Sequence, residues 1–158
     1  MIQRIGPSRL SPTRGRSVIH NGVVTTVATS TSKEPSLYAQ ARNALAAIDR
    51  NLIEAGTDKS RILTAMVYIT DMRNKPELNR AWDEWVDRAN LPMRACLGVA
   101  LEGDDLVEIV VTAAVTTISI RSSPSRSTPR QARIGRLARS THSSQARLSS
   151  GLLRMSVM

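Results

Sequence analysis

The sequence contains one cysteine, Cys96, and two histidines, His20 and His142. A single thiol cannot close an internal disulfide or build a multi-thiolate metal site, and two histidines are too few for an ordinary structural zinc site. No apolar run approaches the roughly 18 residues that a membrane-spanning helix needs, and the first residues lack the apolar stretch of a secretory signal. These features favour a reduced, cytoplasmic, metal-free protein that does not engage a membrane.

The formal net charge of +9 is concentrated at one end of the chain. Eight of the 22 basic residues follow position 120, where no acidic residue occurs, so residues 1–120 carry about +1. We predict a folded domain over 1–116 and an Arg/Ser-rich, disordered tail over 117–158, because the tail has too little apolar surface to offset the entropy of ordering. Nucleic acid binding is expected only if this tail acts as an electrostatic arm. The alternative is an extension produced by a frameshift or a lost stop codon.

Residues 2–115 alternate between strand-like and helix-like patterns. Asn21-Gly22 joins two β-rich runs and is a strong hairpin signal. Apolar side chains then recur at helical spacing up to Gly56, a residue type that commonly follows a helix. We therefore predict an α+β fold in the order β-β-β-α-β-α-β-β, a mixed sheet with two helices packed on one face. The strands are expected at 2–5, 17–20, 23–29, 61–70, 93–100 and 106–115, and the helices within 37–52 and 78–89.

The predicted strands are apolar on both faces. In the predicted strand 61–70, alternate residues face opposite sides of the sheet. One side carries Ile62, Thr64, Met66 and Tyr68, and the opposite side carries Leu63, Ala65, Val67 and Ile69. Two helices can cover only one face of a sheet, and the other face would expose a large apolar patch to water. We therefore expect another subunit to bury the face without helices.

Four segments together carry a family pattern over residues 1–115. They are 18–24 (Val-Ile-His-Asn-Gly-Val-Val), 48–49 together with 52–60, 79–86, and 92–96 (Pro-Met-Arg-Ala-Cys) followed by 106–109 and 112–115. In order and spacing they resemble the RidA/YjgF family of reactive-intermediate deaminases, and most of all its YoaB-like branch.

The resemblance implies a chorismate-mutase-like fold, a homotrimer, and clefts between subunits that bind small carboxylate metabolites. The implied activity is hydrolysis of reactive enamines and imines, such as 2-aminoacrylate, to 2-oxo acids and ammonia, without a metal or organic cofactor. The alternative is a trimer of the same family that binds small carboxylates without turning them over. RNA cleavage, also described within the family, is disfavoured by the near-neutral domain and the lack of a His-His or His-Lys pair.

Arg94 and Glu108 are the predicted catalytic residues. Strand alternation leads us to expect both side chains on the face without helices. The resemblance assigns Arg94 to the substrate carboxylate, which a guanidinium can grip with two parallel hydrogen bonds, and Glu108 to the orientation of water. Alternatively, Arg94 forms an interface ion pair with an acidic side chain, and Glu108 neutralises Arg94.

Asn79, Cys96 and Ala28 complete the predicted ligand site. Asn79 matches an asparagine that lies near the ligand in the family. Alternatively, it is a cap or a surface residue of the second helix. Cys96 shares a strand face with Arg94, or else is a small buried hydrophobe. Ala28 lies within 27–29, where many family members carry a Ser/Thr-Gly pair whose backbone approaches the ligand, and its Cβ narrows that approach.

Overall fold

The protein structure, a computed structural model, describes residues 1–7 and 11–115. It confirms the predicted order of elements, with two additional short 3₁₀ turns, Lys59–Arg61 and Met72–Asn74. The predicted tail over 117–158 lies outside the described residues, as does residue 116, so the domain boundary stays a prediction. The strands are β1 Gln3–Ile5, β2 Ser17–His20, β3 Val23–Thr29, β4 Ile62–Ile69, β5 Met93–Gly98 and β6 Val107–Ala114, and the helices are α1 Leu37–Glu54 and α2 Lys75–Trp85.

The six strands form one mixed sheet in the order β1-β2-β3-β6-β4-β5. Only the β4–β5 pair is parallel, and β1 and β5 are the edges. The hairpin between β2 and β3 turns at Asn21 and Gly22, whose φ angles of 49° and 75° are the positive values that a tight two-residue turn requires. The hairpin predicted from these two residues is therefore confirmed.

Local signals set the ends of both helices. The Ser36 side chain accepts a hydrogen bond from the Ala39 N–H at 3.3 Å, which caps α1. Gly56, with φ of 78°, follows its end in the left-handed conformation. The second helix ends at Trp85, earlier than the predicted limit at position 89, because Val86 takes an extended backbone. Residues 1–7 and 11–115 contain no helix that has both the length and the hydropathy of a membrane span.

Both helices pack on one face of the sheet, as predicted. Alternate residues of the central strands are buried beneath them, among them Val24, Ala65, Val67, Ile109 and Val111. The opposite face, which we call the open face, carries no helix. It consists of Val18, Thr25, Val27, Thr29, Thr64, Met66, Tyr68, Met93, Ala95, Leu97, Glu108, Val110 and Thr112.

The open face is largely apolar, with four threonines and Glu108 among the residues named, and is only partly shielded in the single chain. Met93 is 59% exposed, Leu97 41% and Val27 37%. Apolar patches of this kind mark interaction surfaces. Burial of this face by another subunit stays a prediction.

The strand register corrects the expected position of Arg94. In the parallel pair, Arg94 lies beside Ala65 and Cys96 beside Val67, and both of these β4 residues are fully buried under the helices. Arg94 and Cys96 therefore lie on the helix-bearing side, and the expectation that Arg94 lies on the face without helices is wrong. Glu108 pairs with Tyr68 and Thr29 and does lie on the open face, so the two predicted catalytic residues face opposite ways.

Candidate functional site

Arg94 is held between the edge strand β5 and helix α2. Its Nη2 donates a hydrogen bond of 2.7 Å to Oδ1 of Asn79. Its guanidinium carbon lies 4.9 Å from the centroid of the Trp82 ring, a cation–π contact. Asn79 and Trp82 are three residues apart on α2 and so project from the same side of the helix. The structure thus brings together Arg94 and Asn79, two of the predicted site residues.

One nitrogen of Arg94 is left without a hydrogen bond. Nη1 is buried and has no partner among residues 1–7 and 11–115. The three ion pairs in the described part of the chain do not include Arg94. A buried charged donor without a partner is costly, whereas a carboxylate placed there would gain a charge-assisted hydrogen bond. The alternative role of Arg94, an ion pair with an acidic side chain across a subunit interface, stays a prediction.

The Trp82 ring that contacts Arg94 is itself fixed by neighbours. It packs against Trp85 with ring centroids 5.3 Å apart and an interplanar angle of 59°. The indole nitrogen of Trp85 donates to Oδ2 of Asp49 at 2.8 Å, and the Lys59 ammonium lies 5.5 Å from the Trp85 centroid. Neither tryptophan is among the site residues predicted from the sequence, so the contact of Trp82 with Arg94 was missed there. The three-residue spacing of Asn79 and Trp82, which places both on one side of a helix, could have indicated that Trp82 lies near Arg94.

Cys96 lies on the same side of β5 as Arg94 and is half-buried. Burial raises the pKa of its thiol above the ordinary value, and the positive charges of Lys75 and Arg94 only partly oppose this shift. The thiol form is therefore favoured at neutral pH, and the reactive thiolate is scarce. Within the described residues, no group of three or more His, Cys, Asp or Glu side chains could hold a metal ion.

Glu108 and Ala28 do not reach Arg94 within one chain. Glu108 projects from the open face, between Thr29 and Tyr68 of the neighbouring strands. Ala28 is part of the core under α1, on β3. Because β6 and β4 separate β3 from β5, Ala28 lies about 14 Å from β5 at the usual spacing of strands. The register aligns Ala28 with Cys96, so Arg94 is further away still. A site that uses all the predicted residues must draw on more than one chain.

Residues 11–115 match the family model described as endoribonuclease L-PSP. The chain belongs to this family. The matched range includes Asn79, Arg94, Cys96 and Glu108 and every described element except β1. The resemblance stated from the sequence is therefore confirmed at the level of the family.

Relatives of this family agree with the match. A RutC family protein of Haemophilus ducreyi is 45% identical over 101 residues, which cover 61% of this chain and 85% of the relative. The RutC family protein YoaB of Escherichia coli is 33% identical over 99 residues, 62% of this chain and 87% of the relative.

A solved structure confirms the fold. The crystal structure of NMB1025 from Neisseria meningitidis, described as a member of the YjgF protein family, superposes with a TM-score of 0.68. The two proteins are 32% identical, and the alignment covers 73% of this chain and 95% of NMB1025. The mixed sheet with two helices is thus the family fold, while the roles of individual site residues stay predictions.

Proposed function

We propose that the protein is an enamine/imine deaminase that hydrolyses small 2-imino acids to 2-oxo acids and ammonia. The observation that carries the proposal is the fixed guanidinium of Arg94, which Asn79 and Trp82 hold in place while Nη1 stays buried and unbonded in the described chain. A planar guanidinium with unused donors suits a carboxylate, a group that every 2-imino acid carries next to its imine carbon.

We further propose that the active protein is a homotrimer and that each cleft is shared by two subunits. Arg94 and Glu108 face opposite sides of one sheet, so an Arg94 of one subunit can meet only the Glu108 of another. A closed ring uses two different patches of each chain, here the β5–α2 edge and the open face. The apolar open face, with Val27, Met93 and Leu97 exposed, favours such burial.

In this cleft Glu108 of the neighbouring subunit would orient the attacking water and accept its proton. The carboxylate accepts a proton from a water molecule that attacks C2 of the imine, and the proton is passed to the nitrogen. This gives a carbinolamine, with a hydroxyl and an amino group on C2. Its hydroxyl proton is then moved through Glu108 to the amino nitrogen as the carbon–nitrogen bond breaks, so ammonia leaves and the oxygen from water remains as the 2-oxo group. Arg94 holds the carboxylate on C1 and so fixes C2 in front of the water.

The first test is turnover by the wild-type protein. We expect it to accelerate pyruvate release from 2-aminoacrylate, which is generated in the cuvette from a suitable amino acid by a lyase and hydrolyses slowly on its own. The rate should rise linearly with protein concentration, and the surface variant Arg50→Ala should match the wild type because Arg50 is exposed on α1. A rate equal to that without protein would rule out the deaminase.

A second candidate function is capture of a small carboxylate without turnover. It is favoured by the surroundings of Arg94 within a single chain, where the nearby thiol of Cys96 is kept protonated by burial and Glu108 is on the other side of the sheet. This candidate predicts tight binding of 2-oxo acids, lost in Arg94→Ala, together with no acceleration of imine hydrolysis. The turnover measurement therefore separates the two functions.

RNA cleavage, which the description of the family model names, has less support here. Residues 1–120 carry about +1, too little for a strong attraction to phosphates. His20 is the one histidine in the described part of the chain, and its Nδ1 lies 3.4 Å from the backbone oxygen of Met1. It has no second histidine or lysine beside it among the described contacts with which to share acid and base roles.

A further inference from the structure

The Arg94 site continues along β5 and α2 as a row of residues. The row consists of Arg94, Cys96 and Gly98 on the strand and of Asn79, Lys75 and Met72 on the helix and the turn before it. At one end Arg94 bonds to Asn79, and at the other Gly98 packs so closely under Met72 that a Cβ on Gly98 would lie 2.8 Å from the Met72 Cγ. Helix α2, with the 3₁₀ turn that precedes it, thus runs antiparallel to β5. Between these two contacts lie Cys96 on the strand and Lys75 on the helix.

Lys75 faces the same row as Asn79. The two residues are four apart on α2, which places their side chains one above the other on one face of the helix. The charges of Lys75 and of Arg94 both act on the thiol of Cys96, opposing the effect of its burial on the pKa, which agrees with this placement. Both cations therefore lie close enough to Cys96 to lower the pKa of its thiol.

Neighbouring acidic groups do not neutralise Lys75. The side chain of Lys75 is half-buried and takes part in none of the three ion pairs of the described chain. Asp71 accepts three hydrogen bonds from the Arg73 guanidinium, and Glu77 accepts one from the Tyr38 backbone N–H. Lys75 also stands at the first position of α2, where the helix dipole adds to the positive potential.

We propose that Lys75 forms a subsite for a second anionic group, so that the site prefers dicarboxylic over monocarboxylic 2-imino and 2-oxo acids. This inference rests on the proposed role of Arg94 in holding the first carboxylate. Cys96 is two strand positions from Arg94, so Lys75, opposite Cys96, is about 7 Å further along the row. That separation fits the two carboxylates of a short dicarboxylic acid. Its carbon chain would lie against the small, neutral side chain of Cys96.

Binding of 2-oxoglutarate and 2-oxopentanoate tests the subsite, because these acids share the 2-oxo carboxylate and differ only at the far end. We expect wild-type protein, titrated by calorimetry, to bind 2-oxoglutarate about tenfold more tightly, the gain of one partly buried charge-assisted hydrogen bond. Lys75→Gln should bind both acids equally and keep the wild-type affinity for 2-oxopentanoate. The variant Lys75→Arg should keep the preference, and so should Arg50→Gln, which removes an exposed charge on α1.

The outcomes separate this inference from the deaminase itself. A preference for 2-oxoglutarate that persists in Lys75→Gln, or no preference in the wild type, would overturn the subsite even if imines are hydrolysed. A preference that depends on Lys75 supports the subsite even if no imine is turned over, in which case only the deaminase fails. No binding of either acid would overturn the subsite and the role of Arg94 together.

Discussion

Replacing Arg94 with alanine is expected to lower kcat/KM for 2-imino acid hydrolysis by about 10²- to 10³-fold, since each charge-assisted hydrogen bond to the substrate carboxylate contributes about 1.5–3 kcal/mol. The carboxylate is bound before and during the reaction, so most of the loss should appear as a raised KM. The affinity for the 2-oxo acid product should fall in parallel. Initial rates over a range of substrate supply, with calorimetric titration of the product, measure both effects.

The variant Arg94→Lys separates geometry from charge. A lysine keeps the positive charge, but it loses the planar fork, the bond to Asn79 and the stacking on Trp82. We expect it to recover only a small part of the lost activity. Arg50→Ala, which removes a surface arginine, serves as the control for net charge. Wild-type kinetics in Arg94→Ala, in a protein that unfolds at the wild-type temperature, would contradict the assigned role.

Replacing Glu108 with glutamine is expected to lower kcat by about 10²- to 10⁴-fold, the range that general acid–base catalysis usually supplies. Glutamine has nearly the same shape and can still hydrogen-bond water, but it cannot accept the proton. Because Glu108 does not hold the substrate carboxylate, product affinity should change by less than about twofold. Glu102→Gln, in the exposed turn before β6, is the matched control. An unchanged kcat in Glu108→Gln would assign Glu108 a structural role only.

The order of the elements was predictable because its signals are local. The positive φ angles at Asn21 and Gly22 follow from residue type, and the helical spacing of apolar residues before Gly56 marks α1 in the sequence itself. The family pattern added the fold and the candidate residues. The end of α2 was less predictable. The helix stops because the backbone becomes extended at Val86, and the spacing of apolar residues does not reveal this change.

The side of the sheet on which Arg94 lies was not predictable from alternation. Alternation divides a strand into two sets of residues, and only the register with its neighbour decides which set faces the helices. In the edge strand β5, the more apolar set, with Ala95 and Leu97, faces the open side, while Arg94 and Cys96 lie beside buried Ala65 and Val67. The polar Arg94 can face a helix here because Asn79 accepts its hydrogen bond and its guanidinium lies over the Trp82 ring.

Ala28 shows the same limit of reasoning from sequence. The resemblance placed it at the ligand, but in the single chain its side chain belongs to the core on β3, with two strands between it and β5. Only contacts across the sheet reveal this separation. A role for Ala28 at the ligand therefore stays a prediction.

Trimers that mix two inactive variants test the shared cleft most directly. Arg94→Ala subunits with one affinity tag and Glu108→Gln subunits with another are refolded together, and trimers with both tags are purified. In a closed ring of three, either mixed composition contains one cleft that pairs an intact Arg94 with an intact Glu108, so mixed trimers should regain roughly one third of the wild-type rate. Mixed trimers as inactive as their parents would show that Arg94 and Glu108 do not act across a subunit boundary.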